Sequence, residues 1–230
     1  MTIVEPDSET FSIVVLGDFN PAILQPLWFS VNELISRQEA DNADIDVIHK
    51  EFASFLISGI KVQVDHSRLG MTAMESQRGP TLRDLVIGTL LILDHTPLKA
   101  IGLNRDLVFE MESDEAWHGV GDRLAPKDDW IRILESPGMQ QIVVEGKRPD
   151  CSADRVHVRV QPSGTRKILI AVNQHYQLKT TEEAEVRERH NEAVRVLNDD
   201  WQSFFAYALE AARGILQPSS SGVRQSEKQS

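Results

Sequence analysis

Several groups of residues in this chain have types and spacings that invite a chemical reading. The first is Gly17-Asp18-Phe19-Asn20-Pro21, directly after an apolar run. A phosphate loop needs paired glycines followed by Lys and Ser or Thr, so that backbone N–H groups and an ammonium surround the phosphate. A dinucleotide fingerprint needs three spaced glycines and a later acid. Neither is present, and Pro21 removes one N–H donor. Turn chemistry accounts for the whole stretch, with Phe19 directed into the core.

Glu115 and His118 stand three apart, with Asp122 four further on. On a helix, Glu-x-x-His is half of a di-iron carboxylate motif. No second copy lies on a helical pattern, and Gly119 and Gly121 weaken the helix that would hold the geometry. Asp65-His66-Ser67 has the residue types of a hydrolase triad, but neighbours on a strand or tight turn cannot face one another. Cys151 is the one cysteine of the sequence. It excludes an internal disulfide and a Cys-rich metal centre, and its context "RPDCSAD" reads as an exposed loop rather than a nucleophile's setting.

The remaining group is spread over two strands. "RVHVRVQ" and "KILIAVNQHY" form an antiparallel hairpin across "PSGTR". Pairing Val158 with Ile170 sets Val156, Val158 and Val160 against Val172, Ile170 and Ile168, giving one apolar face and an odd-length loop centred on Gly164. His157 then faces Ala171, and His175 falls opposite Ala153. Arg155, His157, Arg159, Asn173 and His175 all point to the other face, where they are candidates for a polar groove.

The elements that must position these groups follow from patterning. Phe11 to Leu16 is a buried strand. A helix runs from Pro26 to about Arg37 with Trp28, Val31, Leu34 and Ile35 as its buried stripe. "RQEADNADID" is a polar, acidic loop. "FASFLISGIKVQVDHSRLGMTAM" reads as two strands with a turn near Asp65–Ser67. Thr81 and Asp84 form a weak capping box for an apolar helix carrying Leu82, Leu85, Val86, Leu90 and Leu93. "LKAIGLNRDLVFEME" is a long or bent strand. Ser113 to Gly138 is irregular, with Trp117 and Trp130 anchoring short helices, and "QQIVVEG" is a strand. A long helix from about Glu182 to Leu216 carries a buried stripe through Leu197, Trp201, Phe204, Phe205, Ala208, Ala212 and Ile215.

Composition narrows the function. A net charge of −11 over 230 residues, with no basic stripe, argues against a nucleic-acid grip and against docking on an anionic membrane. The longest apolar stretch, "LVIGTLLIL", is far below the roughly 20 residues of a membrane span. The N-terminus shows no secretion signal, which places the chain in the cytoplasm.

The order of elements resembles a scattered family of uncharacterised bacterial proteins. The likeness rests on "VVLGDFNP", "FLISGIKVQVDHSRLGMTA", "PLKAIGLN" and the Trp201 region. It implies a bacterial source and supplies no catalytic residue.

The sequence therefore predicts an α+β fold: a mainly antiparallel sheet, two or three main helices, and a long C-terminal helix packed on it. Two pseudo-repeated halves are expected, an N-terminal α+β half at 11–112 and a hairpin and long-helix half at 113–216. A flexible N-terminus at 1–10 and a disordered tail at 217–230 flank them. No catalytic, metal or cofactor-binding residue is assigned, and no cofactor is expected. The leading expectation is a non-enzymatic cytoplasmic protein-interaction subunit that binds another protein or itself. The alternatives are a small-molecule-binding protein or enzyme with a pocket between sheet and helices, and an acidic, antitoxin-like inhibitor of a basic partner.

Overall fold

A computed structural model describes residues 5–148, 150–151, 153–178 and 186–217. The expected tail beyond Gln217, residues 1–4 of the expected flexible N-terminus, and the first residues of the expected long helix lie outside these. The fold is α+β, as the patterning predicts: an antiparallel nine-stranded sheet with its helices on one face.

The central strands are β1 (Ser8–Gly17) and β6 (Leu98–Glu110), which pair from Ser8 opposite Val108 to Gly17 opposite Leu98. β1 begins three residues before the expected strand, and Asp7 already donates its N–H to the Val108 carbonyl. On one side follow β5 (Arg68–Ala73), β4 (Ile60–Asp65), β3 (Phe52–Ile57) and the edge strand β2 (Asp44–Ile48). On the other follow β9 (Lys167–Gln177), β8 (Arg155–Pro162) and the opposite edge, β7 (Ile142–Gly146). The stretch expected to hold two strands holds three. Ser58 and Gly59, both at positive φ, make a two-residue turn between Ile57 and Ile60, the backbone a tight hairpin requires. The expected acidic loop contains a helix and the start of β2.

Period-two alternation sorts the two faces. Phe11, Ile13 and Val15 of β1, Leu103 and Leu107 of β6, and Ile168, Ile170 and Val172 of β9 all point to the core. That face is covered by α3 (Gly79–Ile92), α5 (Val186–Asp199) and α6 (Trp201–Leu216). Arg78, not Thr81, is the N-cap of α3, because Pro80 fits the first turn where its missing N–H costs nothing. The expected long C-terminal helix is two helices, broken at Asp200. His190 of α5 ties that helix to α3 and to the connection between α3 and β6: its Nδ1 lies 2.9 Å from the Leu90 carbonyl and its Nε2 2.7 Å from that of Thr96.

The first expected helix is also shorter. α1 (Pro26–Val31) stops because Glu33 takes a positive φ. Glu33 and Leu34 then donate their N–H groups back to the carbonyls of Ser30 and Phe29, a Schellman closure. Phe29 is buried in place of Val31, which is exposed. Ser36 and Glu39 form a reciprocal capping box on α2 (Arg37–Asp41). In the irregular region, α4 (Asp114–Leu124) is a full helix, capped by Ser113.

The β8–β9 register differs from the expected one by two residues. Val158 faces Val172 and Val160 faces Ile170. An even shift keeps every side chain on its face, so hydrophobic patterning cannot tell the two registers apart. The turn backbone decides. Ser163 donates to the Lys167 carbonyl, closing a loop of Gly164, Thr165 and Arg166 with Gly164 and Arg166 at positive φ.

Candidate functional site

The face of the sheet away from the helices is polar and uncovered by any described helix. Its middle holds a trough of about 470 Å³, within the range of small-molecule pockets. Two glycines leave room for side chains that line it. At Gly70 a Cβ would stand about 3.0 Å from both terminal nitrogens of Arg68, so the bare glycine lets Arg68 lie along the strand. At Gly102 a Cβ would come within 3.2 Å of the Asn173 amide nitrogen, which occupies that space.

The two-residue change of register sets what touches what. His157 faces Asn173 rather than Ala171, and His175 faces Arg155 rather than Ala153. One cross-strand row therefore reads Glu145, His157, Asn173, Asn104 and Ser12, from β7 to β1. It is hydrogen-bonded end to end. Asn104 Nδ2 donates to the Ser12 carbonyl at 3.3 Å, and Asn173 Nδ2 donates to Asn104 Oδ1 at 2.7 Å. His157 Nδ1 lies 3.4 Å from Asn173 Oδ1 and its Nε2 2.7 Å from Glu145 Oε2. The His157 contact holds the Glu145 carboxyl below its ordinary range.

The adjacent row carries Asp106, Ala171, Arg159 and Val143. Asp106 is half-buried, and burial pushes its carboxyl up from the ordinary Asp value, against the weaker pull of Arg159.

Of the expected polar-groove residues, His157, Arg159 and Asn173 line the trough. Arg155 and His175 share the face but sit one row beyond it, opposite each other. Ser12, Arg68, Asn104 and Asp106 complete its polar lining, which the sequence does not anticipate. Alternation in "IGLNRDL" marks Asn104 and Asp106 as one face of β6, but only the β6–β9 pairing brings them to His157 and Arg159.

The other chemical candidates resolve into structure. Gly17, Asp18 and Phe19 spend their N–H groups on the carbonyls of Ser67, Pro97 and His66, so no donor nest is free for a phosphate. Asp18 pairs with Lys99 at 2.6 Å, and Phe19 is buried. Asp65 Oδ1 accepts from both the N–H and the hydroxyl of Ser67, each at 2.7 Å, while His66 turns to Glu51 and the Phe19 carbonyl. Asp122 pairs with Lys127 at 2.7 Å, and among the described residues no three His, Cys, Asp or Glu side chains converge on a metal position. Cys151 is half-buried rather than exposed. Beside it, Arg148 is buried over the Tyr207 ring and holds Asp150 and Gln174 on the helix side of the sheet.

A second surface is apolar. Trp130, Ile131, Ile133 and Leu134 are 50%, 62%, 71% and 53% exposed. Trp130 and Leu134 line a groove of about 430 Å³ that runs to Gln141, the residue before β7. Val143 and Val144 on that edge strand are 51% and 58% exposed.

Fold and surface together define an α+β protein with one helix-covered sheet face, one open polar face and an apolar surface at a strand edge. No known protein family and no curated protein matches the chain. No helix among the described residues is long and apolar enough to cross a membrane.

Proposed function

We propose that the chain is a non-enzymatic, cytoplasmic protein-interaction subunit whose partner docks on the apolar surface between residues 130 and 144. The carrying observation is the run of exposed Trp130, Ile131, Ile133 and Leu134 leading to an open strand edge. Contiguous exposed apolar surface is disfavoured in a protein that works alone. The outer edge of β7 offers a row of backbone N–H and C=O groups that sheet pairing among the described residues leaves unused. A partner strand added there gains main-chain hydrogen bonds, and the neighbouring Trp and Ile side chains supply apolar anchors.

The test compares the parent with Ile133→Asp and Val144→Lys, both at exposed positions. The parent should be recovered from native lysate with a stoichiometric partner, or as a dimer by light scattering. Each variant should lose that association with its circular dichroism unchanged. A parent that is monomeric and partner-free, and indistinguishable from both variants, overturns the proposal. A complex with a basic protein that survives both substitutions and dissolves in high salt would support the acidic-inhibitor alternative instead.

A further inference from the structure

The open sheet face carries two opposite charges that its own residues do not bring together. Asp106 of β6 and Arg159 of β8 lie in one row, on either side of Ala171 of β9. With strands about 4.8 Å apart, their α-carbons stand roughly 9.6 Å from each other. The charges attract, yet no ion pair forms between them. Among the described residues Asp106 accepts no side-chain hydrogen bond and Arg159 donates none. Between them the alanine methyl leaves the floor of the trough low.

The surroundings are fixed. Asn173 and Asn104 are locked to each other and to the Ser12 carbonyl, and His157 is held between Asn173 and Glu145. These side chains need not reorganise to accept a ligand, which lowers the cost of binding. The amides also keep unused capacity, since an Asn offers two donors and two acceptor lone pairs.

We propose that this trough binds a small zwitterion of the α-amino-acid class, with its ammonium on Asp106, its carboxylate on Arg159 and its α-carbon over Ala171. A zwitterion gives each half-buried charge the opposite charge it lacks. The guanidinium fork matches a carboxylate in plane and spacing. A phosphate facing Arg159 and Arg68 would still meet the Asp106 carboxylate as a like charge, and a simple amine would leave Arg159 unmatched. Val143 borders both the trough and the apolar surface, but Val144→Lys keeps every residue named in this subsection, so the two sites are tested apart.

The experiment is calorimetric titration of the full chain with the free α-amino acids one by one. Each binder is then compared with its analogues lacking the amino or the carboxyl group; for L-leucine these are 4-methylpentanoate and isopentylamine. At least one amino acid should bind with Kd of about 1 mM or below, and both of its analogues at least about ten-fold more weakly, as expected for losing a charged hydrogen-bonding partner. Arg159→Gln and Asp106→Asn should each weaken binding by about ten-fold or more with melting temperature not lowered, and Ala171→Leu should abolish it by filling the floor. Absence of binding by every amino acid at about 10 mM would overturn the proposal. So would an amino acid whose affinity Arg159→Gln leaves unchanged, or one matched in affinity by its des-amino analogue.

Discussion

Glu9 and Arg105 form an ion pair inside the interface between the sheet and its last helix. Glu9 Oε2 accepts from Arg105 Nε at 3.0 Å and from one Nη at 2.5 Å, with the two side chains only 18% and 9% exposed. The guanidinium lies against the stacked rings of Phe11 and Phe205, 5.3 and 5.4 Å from their centroids. Its other Nη reaches the Phe205 carbonyl at 2.5 Å. One side chain of the central strand thus joins β1 and α6.

Breaking this pair from one side should be costly. Arg105→Ala leaves Glu9 as a largely buried anion without its partner, a situation that typically costs about 3–5 kcal/mol. Replacing both partners, as Glu9→Met with Arg105→Met, should recover much of that loss, because no unpaired charge remains. Urea denaturation of the two variants decides it. Equal destabilisation would mean that the pair contributes through packing alone.

The closing helices should be integral to the fold. Trp201 is buried, its ring 4.3 Å from that of Phe205, and it packs at the start of α3, where a Cβ on Gly79 would stand 3.6 Å away. Truncation of a buried aromatic to Ala typically costs about 3–5 kcal/mol, a large share of a domain stability of roughly 5–15 kcal/mol. Trp201→Ala should therefore unfold at a much lower denaturant midpoint or aggregate. A soluble variant with parental stability would contradict the packing.

How much of this was legible in sequence depends on the range of the interaction. Alternation in "RVHVRVQ" and "KILIAVNQHY" assigns each side chain to a face, because the face depends on parity alone. It does not fix which residues touch, since a shift of two leaves parity intact. The His157–Asn173 contact therefore depended on the backbone of Gly164 and Arg166. Ser58-Gly59 is a turn signal legible in the sequence, masked by the apolar run on either side of it. The break at Glu33 was not legible, because glutamate has no preference for positive φ and only the Schellman bonds hold it there. Asp106 and Arg159 are separated by half a hundred residues, and nothing local in either segment points to the other.

The loop at Gly17 should behave as structure. A Cβ there would come within 2.7 Å of the Pro97 carbonyl oxygen, so Gly17→Ala must move backbone and should lower the melting temperature clearly. Asp18→Ala removes only an exposed ion pair with Lys99 and should change stability by about 1 kcal/mol or less. Neither substitution should alter partner or ligand binding beyond its effect on stability. Loss of binding in Asp18→Ala at unchanged melting temperature would assign the loop a functional role.

Asp106 should make the protein less stable as pH rises. Burial pushes its carboxyl above the ordinary value of 3.8, so the unfolded chain gives up this proton more readily than the folded one. The penalty is absent below the unfolded value, where both states are protonated. It grows as pH climbs through the folded value and is then constant. Asp106→Asn removes the ionisable group while keeping the shape. The variant should therefore melt at a higher temperature than the parent at pH 7, and the gap should close as the pH is lowered towards 4. The neighbouring charge of Arg159 works in the opposite sense, favouring the carboxylate, and is already the lesser effect. In the double variant Asp106→Asn with Arg159→Gln the gap at pH 7 should therefore not reverse sign. Thermal denaturation of the three proteins across this pH range provides the measurement. A single Asp106→Asn variant less stable than the parent at pH 7 would mean that Arg159, not burial, governs this carboxylate.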